Sequence, residues 1–227
     1  MAFSRAMKLV LYSGGFGREN QALAVEVQDL LSRQKNPTVT FVPVSSEDAD
    51  PDFRDCQRNL AAAGIKNFHC IPVDRPLSVS EEKKLLSSDG IFLGGGNTFD
   101  LLAHLRARKL LAKLKSYVNE GGILMGLSAG SILLTPNVMT AQVPSLDSDE
   151  NEAGVTDLSA LGLVPFEFSP HYRPGRRTDS ELLDHSKRSK NPIYACADGQ
   201  GIVVRDGTIR FVGRVTVFHR GYKYTLQ

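Results

Sequence analysis

Gly126-Leu127-Ser128-Ala129-Gly130 carries the strongest chemical signal in the sequence. Ahead of it, residues 122–125 read as a short buried strand; behind it, residues 131–134 are apolar enough to begin a helix. G-x-S-x-G between a strand and a helix is the pattern of a nucleophile elbow, in which flanking glycines permit a sharp turn that lifts the serine hydroxyl above the sheet. A serine hydroxyl is a weak nucleophile alone, and needs a base and an acid that orients the base. A tight strand-to-helix turn without chemistry would call for the same small residues.

A base for Ser128 must come from one of five histidines. His69 lies within a strand candidate and His104 within a helix beside leucines, where packing or a surface role is the ordinary explanation. His185 stands beside Asp184 and Lys187 on a polar helix, which reads as a solvated face. His219 sits in a basic, aromatic stretch near residue 227. His171 differs. It falls in Phe168-Ser169-Pro170-His171-Tyr172-Arg173-Pro174-Gly175, a loop by its prolines and glycine, after a strand-like run at residues 163–168. A histidine on such a loop can reach across a sheet end to a serine on another strand.

The third group must accept a hydrogen bond from the imidazole and stabilise its charged form. Asp198 follows a strand candidate at residues 193–197 and precedes Gly199, although Asp-Gly is also a common turn. Asp147, Asp149 and Glu167 are its rivals. A further glycine run, Gly94-Gly95-Gly96-Asn97-Thr98, also lies between a strand and a helix. Its backbone N–H groups could converge on an oxyanion or phosphate, or the loop could simply cross closely over a sheet end. A P-loop is excluded because Gly-Lys-Ser/Thr is missing, and the G-x-G-x-x-G spacing is not met.

The elements that must position these groups alternate. Strand candidates at residues 8–12, 39–44, 67–72 and 90–93 are separated by helical segments at 20–31, 52–63 and 80–86, the last with Ser80 as its expected N-cap. A long helical stretch at 101–118 precedes the strand that leads to Ser128. This order predicts an α/β fold, a mostly parallel sheet with helices on both faces, whose ligands bind beyond the carboxyl ends of the strands. Residues 142–155, acidic and rich in small polar residues, read as a long surface excursion, and 180–186 as a short helix. Residues 203–210 read as a hairpin turning at Asp206-Gly207. The remaining stretch to Gln227 is expected to complete the sheet or cover its edge.

At 227 residues the chain fits a single domain, 1–227. Its 41% hydrophobic and 23% charged residues are ordinary for a globular protein, and a net charge of +2 gives no reason to expect a nucleic-acid or membrane partner. Cys56, Cys70 and Cys196 lack paired or metal-type spacing, which suggests buried thiols in a reducing compartment. Residues 1–8 lead straight into strand-like sequence without a signal-peptide pattern, and no apolar run reaches membrane-spanning length. Together these features predict a cytoplasmic protein.

The motifs together resemble the dipeptidase E (alpha-aspartyl dipeptidase) family of serine peptidases, relatives of cyanophycinase. Ile91-Phe92-Leu93-Gly94-Gly95-Gly96-Asn97-Thr98-Phe99-Asp100-Leu101-Leu102 is similar to that family's glycine-rich signature, and Gly126–Gly130 to its nucleophile motif. Ser169-Pro170-His171-Tyr172 resembles its Asn-Pro-His-Phe, and Ala197-Asp198-Gly199 corresponds to its Pro-Glu-Gly. The resemblance spans nearly the whole chain. It implies a fold like class I glutamine amidotransferases, with Ser128 as nucleophile, His171 as base and Asp198, one methylene shorter than the family's glutamate, as orienting acid. The N–H of Ala129 and one from Gly95 or Gly96 would form the oxyanion hole, with Asn97 and Thr98 at the substrate.

Two departures bear on specificity. Aspartyl-specific members carry Asn-Asp and a further aspartate after the serine motif, where this chain has Met139-Thr140-Ala141-Gln142-Val143-Pro144. They also pair an arginine after the histidine with the substrate aspartate; Arg173, Arg176 and Arg177 offer that charge in another register. The expectation is a serine exopeptidase acting on a short peptide through an acyl-enzyme, with no metal or organic cofactor, as a monomer or homodimer. The alternatives are the same machinery on another amide or a branched aspartyl polymer, and a non-catalytic small-molecule binding module.

Overall fold

The computed structural model describes residues 7–15, 17–47, 49–61 and 63–226. Residues 1–6 and Gln227, on which the readings of the two ends partly rest, and Ala62, within the expected helix at 52–63, lie outside the described residues.

Strand β1 (Lys8–Tyr12) shows how the sheet is covered. Its side chains alternate between faces, as strand geometry requires. Leu9 and Leu11 enter one apolar core, Val10 and Tyr12 the other. β2 (Thr38–Val42), β4 (Gly90–Leu93) and β5 (Ile123–Leu127) divide in the same way, so a sheet with two buried faces reads as continuous hydrophobic runs. With β3 (Asn67–Cys70), the hairpin β8 (Gly201–Arg205) and β9 (Thr208–Val212), they form a seven-stranded sheet in the order β3-β2-β4-β5-β1-β8-β9. The first five run parallel; β8 and β9 are antiparallel. The β8–β9 turn has positive φ at Asp206 (50°) and Gly207 (84°), the geometry expected of Asp-Gly in a two-residue hairpin.

Helices α1 (Gln21–Leu31) and α2 (Ala49–Ala61) pack on one face, and α4 (Thr98–Ala107) and α5 (Leu110–Asn119) on the other. The helical stretch at 101–118 is therefore two helices. Lys109 adopts φ 56°, and the break lets Leu101, Leu102 and Leu105 of one helix and Leu110 and Leu114 of the next reach the same core. In α3 (Val79–Leu86) the cap is Ser78, not Ser80. Ser78 Oγ accepts from the Glu81 N–H while the Glu81 carboxylate accepts from the Ser78 N–H, a reciprocal capping box that Ser80 could not make.

The last third departs from expectation. β10 (Val215–His219) and β11 (Tyr222–Leu226) do not complete the main sheet; they join β7 (Ile193–Cys196) and β6 (Glu167–Ser169) in a second, four-stranded sheet ordered β11-β10-β7-β6. The run at 163–168 becomes strand only from Glu167. Before that the backbone turns to α6 (Ala129–Ile132) and the residues after it, with the Leu163 N–H on the Leu134 carbonyl. The short helix expected at 180–186 is α7 (Arg176–Arg188). The acidic excursion is tied down where it passes α4: Asp149 accepts from the Thr98 N–H at 2.8 Å, and the Glu150 carbonyl accepts from Asn97 Nδ2 at 2.7 Å.

Candidate active site

Ser128 occupies the turn between β5 and α6 at φ 50°, ψ −109°, a backbone region that L-residues seldom enter. Close packing holds it there. A Cβ on Gly126 would stand 2.3 Å from the Gly130 carbonyl carbon, and one on Gly130 would stand 2.3 Å from the Leu93 carbonyl oxygen. Both flanking positions therefore admit only glycine, and α6 sits directly against the ends of β4 and β5. The Ser128 N–H donates to the Tyr12 carbonyl at 3.0 Å, and the Gly130 N–H to the Gly94 carbonyl at 3.1 Å.

His171 arrives from the second sheet, two residues beyond β6, also with a left-handed backbone (φ 55°). Its Nε2 lies 2.7 Å from Ser128 Oγ, and its Nδ1 lies 2.7 Å from Asp198 Oδ1. Asp198 follows β7 by two residues. The structure thus brings Ser128, His171 and Asp198, expected from three separate loops, into one hydrogen-bonded chain. The residue after His171 anchors the loop: Tyr172 is buried, its hydroxyl donates to Asp179 at 2.6 Å, and Lys223 donates to the other oxygen of that carboxylate at 2.8 Å.

The rivals of Asp198 lie elsewhere. Glu167 is buried and accepts from His185 Nε2 at 2.7 Å, with Ser189 and Asn137 on its second oxygen. Burial would raise that carboxyl, but these hydrogen bonds outweigh it and hold the group below its ordinary range. His185 is accordingly a buried partner and not a solvated residue. Asp149 caps the backbone at Thr98, and Asp147 lines a cavity beside Ser128 without contacting His171 among its hydrogen bonds.

Two cavities meet at Ser128 and His171. The larger, about 660 Å³, extends between Gly95, Phe41, Phe92 and one side of α2; the smaller, about 370 Å³, is bounded by Thr98, Thr140, Pro144, Asp149 and Ser169. Gly95 and Gly96 reach the site from the loop after β4, with Gly96 bordering both cavities. Ala129 begins α6 immediately after Ser128. Asn97 lines the larger cavity while its side chain N-caps α4, accepting from the N–H groups of Phe99 and Asp100. Thr98 lines the smaller one. Arg173, Arg176 and Arg177 line neither; all three are exposed, and Arg177 is spent on Glu181 and Ser145. Gly175 leads the chain into α7 there, which carries the basic cluster toward solvent. Among the described residues, no three His, Cys, Asp or Glu side chains converge as a metal site.

Sequence reasoning passed over Ser13 and Gly14, in the loop after β1. Ser13 Oγ accepts from the His171 backbone N–H at 2.7 Å and donates to the Cys196 carbonyl at 2.7 Å. A Cβ on Gly14 would stand 2.2 Å from Asp198 Oδ1 and 2.4 Å from His171 Cε1. The Ser-Gly-Gly after a first strand was the available signal.

A serine at a strained strand–helix turn, bonded to a histidine that is itself bonded to an aspartate above strand ends, is the arrangement found in serine hydrolases of several folds. The chain belongs to peptidase family S51, whose model matches residues 9–212. It is 33% identical over 191 residues to a probable alpha-aspartyl dipeptidase of Drosophila melanogaster, covering 79% of this chain and 74% of the other. It is 27% identical over 183 residues to an uncharacterized peptidase of Listeria monocytogenes, covering 77% and 85%. Among solved structures, a putative peptidase E from Listeria monocytogenes superposes with a TM-score of 0.72 at 24% identity, covering 90% of this chain and 97% of that one. The family and relatives identify the chain as a peptidase, and the structural likeness supports the α/β architecture.

Proposed function

We propose that this peptidase cleaves short peptides by an acyl-enzyme route, with Ser128 as nucleophile, His171 as general base and acid, and Asp198 as the orienting carboxylate. The observation that carries the reading is the pair of 2.7 Å contacts linking Ser128 Oγ, His171 and Asp198 at the junction of the two cavities. Ser128 Oγ attacks the scissile carbonyl as His171 Nε2 takes its proton. The same nitrogen then protonates the leaving amine, the C–N bond breaks, and an ester to Ser128 remains. Water, deprotonated by His171, attacks that ester and releases the acid.

Asp198 holds the Nδ1–H tautomer and stabilises the imidazolium formed in each half-reaction. The N–H of Ala129, with one from Gly95 or Gly96, would receive the oxyanion, where losing one donor typically costs on the order of 10²–10³ in rate. Cavities on both sides of Ser128 suit a residue on each side of the scissile bond. Neither is lined by a lysine or arginine among the described residues, so an N-terminal aspartate would find no countercharge there.

Turnover of Asp-Xaa, Ala-Xaa, Leu-Xaa and Glu-Xaa dipeptides by wild type and Ser128→Ala tests the reading. Ser128-dependent cleavage not confined to Asp-Xaa is expected. Saturable binding of these peptides without cleavage would favour a binding module instead.

A further inference from the structure

His171 owes its place to the next residue as much as to its own side-chain bonds. Its backbone is left-handed (φ 55°), so the loop must be held from outside if the imidazole is to keep its aim. Two successive N–H groups are bound, that of His171 by Ser13 Oγ and that of Tyr172 by the Cys196 carbonyl at 2.9 Å. The Tyr172 ring then enters a small third core that joins α7 to the second sheet, with Leu182, Ile193, Ala195 and Phe218. It meets the Phe218 ring edge to face, with centroids 5.7 Å apart.

Tyr172 stands where the resembled motif has phenylalanine, so a ring alone is enough to fill such a place. The added hydroxyl donates to Asp179 Oδ1 on α7 at 2.6 Å, and Lys223 Nζ on β11 donates to Oδ2 at 2.8 Å. Lys223 Nζ also lies 5.8 Å from the centroids of both the Tyr172 and Phe218 rings, a cation–π distance. Burial would raise the Asp179 carboxyl, but the bonds from Lys223 and Tyr172 outweigh it and hold the group below its ordinary range. Burial and that carboxylate push the Tyr172 phenol up, so it stays a donor. The bond to an ionised acceptor belongs to the stronger class of hydrogen bonds. Tyr172, Asp179 and Lys223 line neither cavity, so any influence on the reaction passes through His171.

Resting on the assignment of His171 as base, we propose that Tyr172, Asp179 and Lys223 are positioning residues. Through the phenol they fasten the loop to α7 and β11, and so set the aim of His171 Nε2 at Ser128 Oγ and of Nδ1 at Asp198.

Tyr172→Phe removes the hydroxyl and keeps the ring; Asp179→Asn keeps the shape and loses the charge. Each is expected to lower kcat by about 10-fold at unchanged KM, a fraction of the ~10² that a displacement of about 1 Å can cost. The double variant should lose no more than either single one, because both break the same chain of contacts. Lys223→Arg, which keeps the cation, should retain activity that Lys223→Met loses. A merely structural role would lower the melting temperature and leave the kcat of the folded enzyme intact.

Two readouts need no cleavable peptide: the rate of Ser128 modification by a fluorophosphonate, and the downfield proton resonance of the His171–Asp198 hydrogen bond. Both should weaken in Tyr172→Phe, while the corresponding resonance of the buried His185–Glu167 bond persists as a control on the fold. Wild-type kcat, labelling and resonance in Tyr172→Phe would overturn the proposal and leave the Ser128 assignment standing. So would joint loss of both resonances, or single-variant losses that multiply in the double variant. Wild-type turnover by Ser128→Ala would instead overturn the nucleophile and base assignments, and the proposal with them.

Discussion

The backbone N–H of His171 donates to the hydroxyl of Ser13, 158 residues earlier in the chain, at 2.7 Å. Because that hydroxyl also donates to the Cys196 carbonyl, one side chain clamps the loops after β1, β6 and β7 together. It also holds His171 in a left-handed backbone that costs energy for any residue with a Cβ. Ser13→Ala leaves a donor and an acceptor unpaired and is expected to cost about 1–3 kcal/mol of stability. Ser13 lines neither cavity, so kcat should fall with little change in KM. Denaturant unfolding and steady-state kinetics check both parts; an unchanged kcat would show that the histidine is held well enough without the clamp.

Gly14 lies against the same pair from the other side. The Cβ of Gly14→Ala would overlap Asp198 Oδ1 and the His171 ring, so one group must move. Displacements of about 1 Å in a catalytic constellation can cost on the order of 10²-fold in rate. A loss of that size in kcat is expected, and wild-type turnover by Gly14→Ala would mean that the observed His171–Asp198 contact is not the working one.

Asp198 reaches Nδ1 of His171 at 2.7 Å despite a side chain one methylene shorter than the glutamate of the resembled family. Asp198→Asn should keep the shape and disturb the tautomer, with an expected kcat loss on the order of 10⁴-fold. A negligible loss would return the role to one of the rival acids that line the smaller cavity, Asp147 or Asp149.

Glu167 and His185 predict a pH effect on stability, separate from catalysis. The Glu167 carboxyl is held below its ordinary value of about 4.3. Its stabilisation is therefore complete above that pH and disappears as pH falls through the lower value of the folded state. Thermal unfolding of wild type should weaken between about pH 5 and 3 more steeply than that of Glu167→Gln. His185→Ala leaves a buried carboxylate without its main donor, with an expected loss on the order of 3–5 kcal/mol at neutral pH.

Much of the site was legible because its geometry makes local demands on residue type. Gly126 and Gly130 must lack side chains where α6 meets the strand ends, and that need shows in the sequence as G-x-S-x-G. His171 and Asp198 stand in loops punctuated by proline and glycine. The Asp206-Gly207 hairpin was equally local. What escaped notice depends on distant partners. Ser13 and Gly14 acquire their roles only because β1 lies beside β8, which brings the end of β7 over the first loop. The Glu167–His185 pair joins a strand to a helix, and a polar helix in isolation suggests solvent. Lys109 breaks the α4–α5 stretch without a proline or glycine to announce it. The Ser78 cap is different: Ser78-Val79-Ser80-Glu81 carries its capping box in plain sequence, and Ser80 was simply the wrong serine.

Acylation of Ser128, with His171 as its base, can be read by mass spectrometry of the protein after treatment with a serine-directed fluorophosphonate, with the adduct located by peptide mapping. A single adduct on Ser128, suppressed in a folded His171→Ala variant, is the expected result. An adduct on another residue, or peptide turnover by Ser128→Ala at the wild-type rate, would contradict it.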